Sequence, residues 1–242
     1  MTDIIIGLVA AVLAITLHEA AHGFAALAMG DDTAQRAGRL SLNPLRHVDR
    51  MGTIILPGGL LLFQLLTIGH VAFMFGWAKP VPVAAWKFRN PRRGMMFVAA
   101  AGPAMNFFLA WLALVALHLV PVVPASVGGL MLQFAVYFIL TNLVLGLFNL
   151  LPIPPLDGGR IMVGLLPEGA ARAWAKLERG GIAIVLLLVF LLPMFLRDFA
   201  GVRFEPVLFL LNNFGRPLMR ALLWLAGDPG AGVYLFEELF SG

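Results

Sequence analysis

The chain opens with an apolar run over 4–29, long enough to cross a bilayer as one helix. A polar loop over 30–50 follows, in which Arg39-Leu40-Ser41-Leu42 alternates like a short strand. Residues 51–77 are apolar again but carry the breaker Pro57-Gly58-Gly59. The next stretch, 79–93, is basic, and its Pro80-Val81-Pro82-Val83 is too proline-rich for a helix and suits an extended edge. Two strong spans come next, 95–120 and 130–151, joined by an uncharged connection. The second ends at Pro152-Ile153-Pro154-Pro155-Leu156-Asp157-Gly158-Gly159-Arg160, a sequence that stops one helix and opens another. A short apolar helix start (161–166), a polar interfacial stretch (170–179) and a short span (181–196) follow. The run over 204–226 is interrupted by Asn212, Asn213, Arg216 and Arg220, and reads as a surface-lying or tilted helix.

The pattern predicts an all-α polytopic membrane protein with about five or six membrane segments. It has a broken helix at Asp157 and short β or re-entrant elements between the first and third segments. Composition agrees: 60% of the 242 residues are hydrophobic and 12% charged, about half the charge of a soluble domain. The net charge of +4 does not indicate nucleic acid, because the basic residues sit between apolar spans and form no compact tract. No cysteine is present, which excludes disulfides, thiolate metal sites and a thiol nucleophile. A cleavable signal peptide is not expected: the first run lacks a basic leader and is too long. No stretch reads as a separate soluble domain, so residues 1–242 are expected to form one integral-membrane domain. Its core is about 4–166, followed by a membrane segment and interfacial helix over about 170–242.

Charge also sets orientation. The loops at 30–50, 77–94 and 152–180 hold most of the Lys and Arg, which puts them in the cytoplasm and the N-terminus outside. Segment 51–76 must then enter and leave on one side, turning near Pro57-Gly58-Gly59; a single crossing is the alternative. The basic residues of 197–220 do not fit this scheme if 181–196 crosses fully.

Within the first span lies His18-Glu19-Ala20-Ala21-His22. On a helix the two histidines are one turn apart on one face and reach a single metal, with Glu19 beside them to take a proton from water. Chance produces this pattern in soluble helices. At membrane depth, three ionisable groups among Ala, Val, Leu and Ile have no solvated alternative and read as functional. Catalytic zinc takes three protein ligands. The extended motif with a third histidine is excluded, since Ala25 and Ala28 stand where its glycine and histidine belong. Between Asp49 and Glu168 the only acidic residue is Asp157, which is therefore the candidate third ligand; an N-cap role for the following helix is the structural alternative. His47 reads as a surface or supporting group, His70 and His118 as interfacial residues, and Gly102 with Ala99–Ala101 as a close-packing surface.

Three features together resemble the site-2 protease (M50) family of intramembrane zinc proteases. These are the His-Glu-Ala-Ala-His in a span, Gly102-Pro103-Ala104-Met105-Asn106 in a later one, and Asn149-Leu150-Leu151-Pro152-Ile153-Pro154-Pro155-Leu156-Asp157-Gly158. The resemblance runs from Thr16 to about Leu166. Leu40–Gly52 and Gly76–Val83 are similar to the short bacterial form without PDZ or CBS domain, although Arg50 replaces a more typical proline. It implies one catalytic Zn2+ on His18, His22 and Asp157, with Glu19 as general base and acid. It further implies Asn106 and Asn142 near the site or the substrate backbone, with helix-to-helix bonding as their structural alternative, and peptide-bond hydrolysis in or near transmembrane segments of membrane proteins. The site is expected toward the cytoplasmic side of a bacterial inner membrane, with the Pro80–Val83 or Arg39–Leu42 edge accepting an unwound substrate strand. The competing reading is a transporter or channel with an intramembrane ion site; an inverted repeat would favour it, and none is visible.

Overall fold

The structure, a computed structural model, describes residues 2–70 and 76–240. Its helices are α1 (Thr2–Ala28), α2 (Arg50–Thr67), α3 (Pro91–Ala116), α4 (Ala125–Asn149), α5 (Asp157–Leu165), α6 (Glu168–Ala200), α7 (206–225) and α8 (Gly230–Phe240). By length and composition α1, α2, α3 with its 3-10 extension to Val122, α4 and α6 are each able to cross a membrane. The protein is thus an all-α polytopic chain, and among the described residues no strand forms.

Helices α1, α3 and α4 make the bundle that carries the site. His18 meets Asn106 and His22 meets Val98, so α1 and α3 run antiparallel. Asp3 meets Gln133 and Gly7 faces Tyr137, so α1 and α4 run parallel. Small residues allow the approach: Ala10 and Ala14 are fully buried against Leu109 and Phe138. Gly146 of α4 receives the Phe107 ring of α3, where a Cβ would stand 2.5 Å from that ring. A second layer packs α7 and α8 against α3 and α4 through Leu114, Leu117, Ile139, Leu143, Met219, Leu222 and Leu235. The outer faces of α1 and α6 stay apolar and exposed, as lipid contact requires.

Several expectations are corrected. Pro57-Gly58-Gly59 does not turn the chain: α2 runs through it, opening with a π-helical stretch over Arg50–Ile55 and placing Pro57 in the first turn of the α-helical part. Proline gives no amide to the preceding π-helical turn, so the helix continues through Pro57 without that one backbone bond. Residues 71–75, which complete the 51–76 segment, lie outside the described residues. The Trp77 amide donates to the Gly52 carbonyl at 3.1 Å, so the excursion begins and ends at one place. The interfacial stretch at 170–179 and the short span at 181–196 are parts of one 33-residue helical run, α6. The expected edges at 39–42 and 80–83 form no ladder. Pro80 and Pro82 offer no amide to pair, and the two stretches are tied instead by Arg39 donating to the Lys79 carbonyl at 2.8 Å.

At the loop side of the bundle a polar clasp fixes the end of α1. Asp31, with no exposed surface, accepts from the Thr33 amide at 3.0 Å and the Ala84 amide at 2.6 Å. Lys87 reaches Asp31 at 3.1 Å and Asp32 at 2.6 Å. Burial works against the Asp31 charge. The bonds from Thr33, Ala84 and Lys87 prevail and hold its pKa near 2, below the usual 3.8.

Candidate metal centre

His18 and His22 project from α1 toward α3, where Gly102 faces them. A Cβ on Gly102 would lie 2.5 Å from His22 Cε1, 2.6 Å from His18 Cε1 and 2.6 Å from His22 Nε2. Only a glycine lets the two rings lie against α3. The rings meet edge to face, centroids 4.7 Å apart.

Asp157 arrives from the other side. After α4 ends, residues 150–156 turn back so tightly that a Cβ on Gly158 would lie 2.2 Å from the Leu150 carbonyl oxygen. The N-cap position of α5 falls to Leu156, with no side-chain cap bond, and Asp157 is the first helical residue. Its carboxylate therefore does not cap; Oδ2 lies 3.2 Å from His18 Nε2 and 3.4 Å from His22 Nε2.

The protonation of the rings follows from their other partners. His22 Nδ1 lies 2.7 Å from the Val98 carbonyl oxygen, which only accepts, so His22 Nδ1 donates. His18 Nδ1 lies 2.6 Å from Asn106 Oδ1. The Asn106 amide nitrogen donates to Asn142 Oδ1 at 2.8 Å, and Asn142 in turn donates to the Phe138 carbonyl at 2.8 Å. That final carbonyl fixes the direction of the whole series, and His18 Nδ1 is again the donor. Both Nε2 atoms consequently present lone pairs, to each other at 3.1 Å and to Asp157 Oδ2, which is buried with no hydrogen-bond donor.

Three electron-pair donors converging without a proton between them repel one another; a cation relieves this. Their separations of 3.1, 3.2 and 3.4 Å form a nearly equilateral triangle. Tetrahedral ligands about 2.0–2.1 Å from zinc stand about 3.3 Å apart, leaving the fourth position open. Two nitrogens and one oxygen suit the borderline-soft zinc ion. The residues present fit the group.

Of the remaining expected positions, Glu19 stands beside this triangle and accepts from the Val81 amide at 3.2 Å. Asn106 and Asn142 are both 0% exposed and stand behind His18, joined to its ring in one series of hydrogen bonds. His47 is buried and bonds the Ser41 carbonyl at 2.8 Å, and His118 bonds the Ala226 carbonyl at 2.8 Å. From sequence Gly102 has only a packing reason, and nothing singles out Val98 by itself. The signal was present: Val98, Gly102 and Asn106 are spaced by four, one stripe of α3.

Fold and site together have the form of a membrane metallohydrolase: helices apolar and long enough to cross a bilayer around a two-histidine, one-carboxylate cluster that could hold a metal ion. Residues 123–192 match peptidase family M50. YwhC of Bacillus subtilis is 41% identical over 188 residues, covering 76% of this chain and 78% of its own. Rip2 of Mycobacterium tuberculosis is 33% identical over 192 residues, covering 78% and 68% respectively. Both are provisionally named zinc metalloproteases. No solved structure matches. The chain belongs to peptidase family M50 and is a zinc-dependent metalloendopeptidase.

Proposed function

We propose that this protein hydrolyses peptide bonds in or beside the transmembrane segments of membrane proteins. The observation carrying this reading is the triangle of His18 Nε2, His22 Nε2 and Asp157 Oδ2, buried among helices long and apolar enough to cross a bilayer. In this reading His18, His22 and Asp157 hold one zinc ion, which when bound supplies Lewis acidity to water and to the scissile carbonyl. Glu19 takes the proton of the attacking water and delivers it to the leaving amine. Val98 and the Asn106–Asn142 pair keep the imidazole lone pairs on the metal side, and the apolar walls of α1, α3 and α4 limit access of bulk water. A substrate helix, whose carbonyls are hydrogen-bonded internally, must unwind locally before attack.

The whole chain acts as one domain, in a bacterial cell membrane. The clasp end of α1 and the start of α3 lie on the cytoplasmic side with their Arg and Lys residues. Segment 51–76 re-enters from that side, a reading supported by the Trp77–Gly52 bond near its two ends. The alternative of an ion-transporting protein is not favoured, because the relatives carry metalloprotease names.

The test is cleavage of a defined transmembrane substrate by purified protein in proteoliposomes, with zinc measured on the same samples. Glu19→Gln is expected to abolish cleavage while retaining about one zinc per chain. Persistent cleavage by that variant would refute the mechanism, and cleavage confined to soluble peptides would refute the intramembrane site.

A further inference from the structure

Residues 77–84 form a non-helical strap laid along the site face of α1, and both of its ends are fixed. At one end the Trp77 amide bonds Gly52, the Lys79 amide bonds the His47 carbonyl at 2.8 Å, and Arg39 holds the Lys79 carbonyl. At the other the Ala84 amide is on Asp31, inside the clasp built by Lys87. Between these anchors Val81 is buried, and its Cγ1 lies 3.2 Å from where a Cβ of Gly23 would stand, one residue past His22.

The sequence Pro80-Val81-Pro82 contains a single backbone amide hydrogen, that of Val81, because proline has none. That one donor is directed at Glu19 Oε2, 3.2 Å away. Among the described residues it is the one hydrogen-bond donor to Glu19. Pro82 also biases Val81 toward extended backbone, and the anchored ends keep the amide in place against α1. A carboxylate on a helix otherwise samples several rotamers, and a general base has to meet its proton at hydrogen-bond distance.

We infer that the Val81 amide is a positioning group for Glu19: it pins one carboxylate oxygen so that the other is left to carry the proton. A neutral amide suits this role. A lysine or arginine in its place would bind the carboxylate more strongly and make it a poorer base. The inference rests on the reading of Glu19 as proton carrier given above.

Two measurements on the zinc-loaded protein test it. The first is single-residue hydrogen exchange of the Val81 amide in wild type, Glu19→Ala and Glu19→Gln. Exchange is expected to be at least about tenfold faster in Glu19→Ala, and within about threefold of wild type in Glu19→Gln, whose side-chain oxygen still accepts. Equal rates in all three overturn the inference. The second is cleavage kinetics with zinc content. Val81→Pro, which deletes the donor, is expected to lower kcat about tenfold to a hundredfold with KM and zinc unchanged, and Val81→Ala, which keeps the amide, to recover most of that loss. A raised KM at unchanged kcat would make the strap a substrate-docking edge and overturn the inference. If Val81→Pro does not fold, the exchange comparison decides alone. Active Glu19→Gln removes the underlying reading of Glu19; inactive Glu19→Gln beside fully active Val81→Pro removes only the role of Val81.

Discussion

Substituting Gly102 by alanine is the sharpest test of how the metal centre is built. The added carbon would stand 2.5–2.6 Å from three ring atoms of His18 and His22, whereas ordinary contact begins at 3.4 Å. The rings must therefore retreat by about 0.8–0.9 Å, several times the roughly 0.2 Å within which zinc–ligand distances are held. Neither ring is free to do so, since each is tied through Nδ1, to Asn106 at 2.6 Å and to Val98 at 2.7 Å. Relief comes from breaking those bonds or from opening the 3.1 Å Nε2–Nε2 edge. The expected result is a loss of zinc affinity of about a hundredfold, about 2.7 kcal/mol, with a matching loss of cleavage. Helix propensity does not oppose the change, because alanine in a helix interior is favoured over glycine by about 1 kcal/mol. Competition with a chromophoric chelator gives the affinity, and thermal melting on the same samples reports the fold. Gly129→Ala, where a Cβ meets nothing within 4 Å, should change neither. Wild-type zinc affinity in Gly102→Ala would refute the close-packed geometry.

Two further outcomes follow from the polar groups around the site. Asn106→Leu removes the acceptor of His18 Nδ1 and should lower zinc affinity about 10–100-fold, as chelator competition measures. The Asp31 carboxyl, held near 2 in the folded protein against 3.8 ordinarily, contributes stability above pH 4 that is lost as pH falls from about 4 to about 2. The component is on the order of 2 kcal/mol, and should appear as the difference in acid unfolding between wild type and Asp31→Asn.

The sequence alone determined the elements and much of the chemistry. Long apolar runs with no charge permit only helices in a bilayer, and His18, Glu19 and His22 are local in the chain, so their helix face follows from spacing. Asp157 stands out as a candidate by elimination because a membrane protein carries so few carboxylates, and the structure places it beside both histidines. Tertiary structure decided what depends on contacts between distant segments. His18 and Asn106 are 88 positions apart, and the direction of the hydrogen bonds from Phe138 through Asn142 to His18 exists only once α1, α3 and α4 pack. The polarity of Asn106 and Asn142 is plain in the sequence, but that they stand buried behind His18 is decided by packing. Pro57-Gly58-Gly59 misleads for a related reason. Proline and glycine break a helix only on average, and here the helical turns over Arg50–Ile55 carry the chain through them. The strap is the clearest case: the prolines leave one amide in Pro80-Val81-Pro82, but only the anchors at Gly52, His47 and Asp31 bring it to Glu19, 62 positions away.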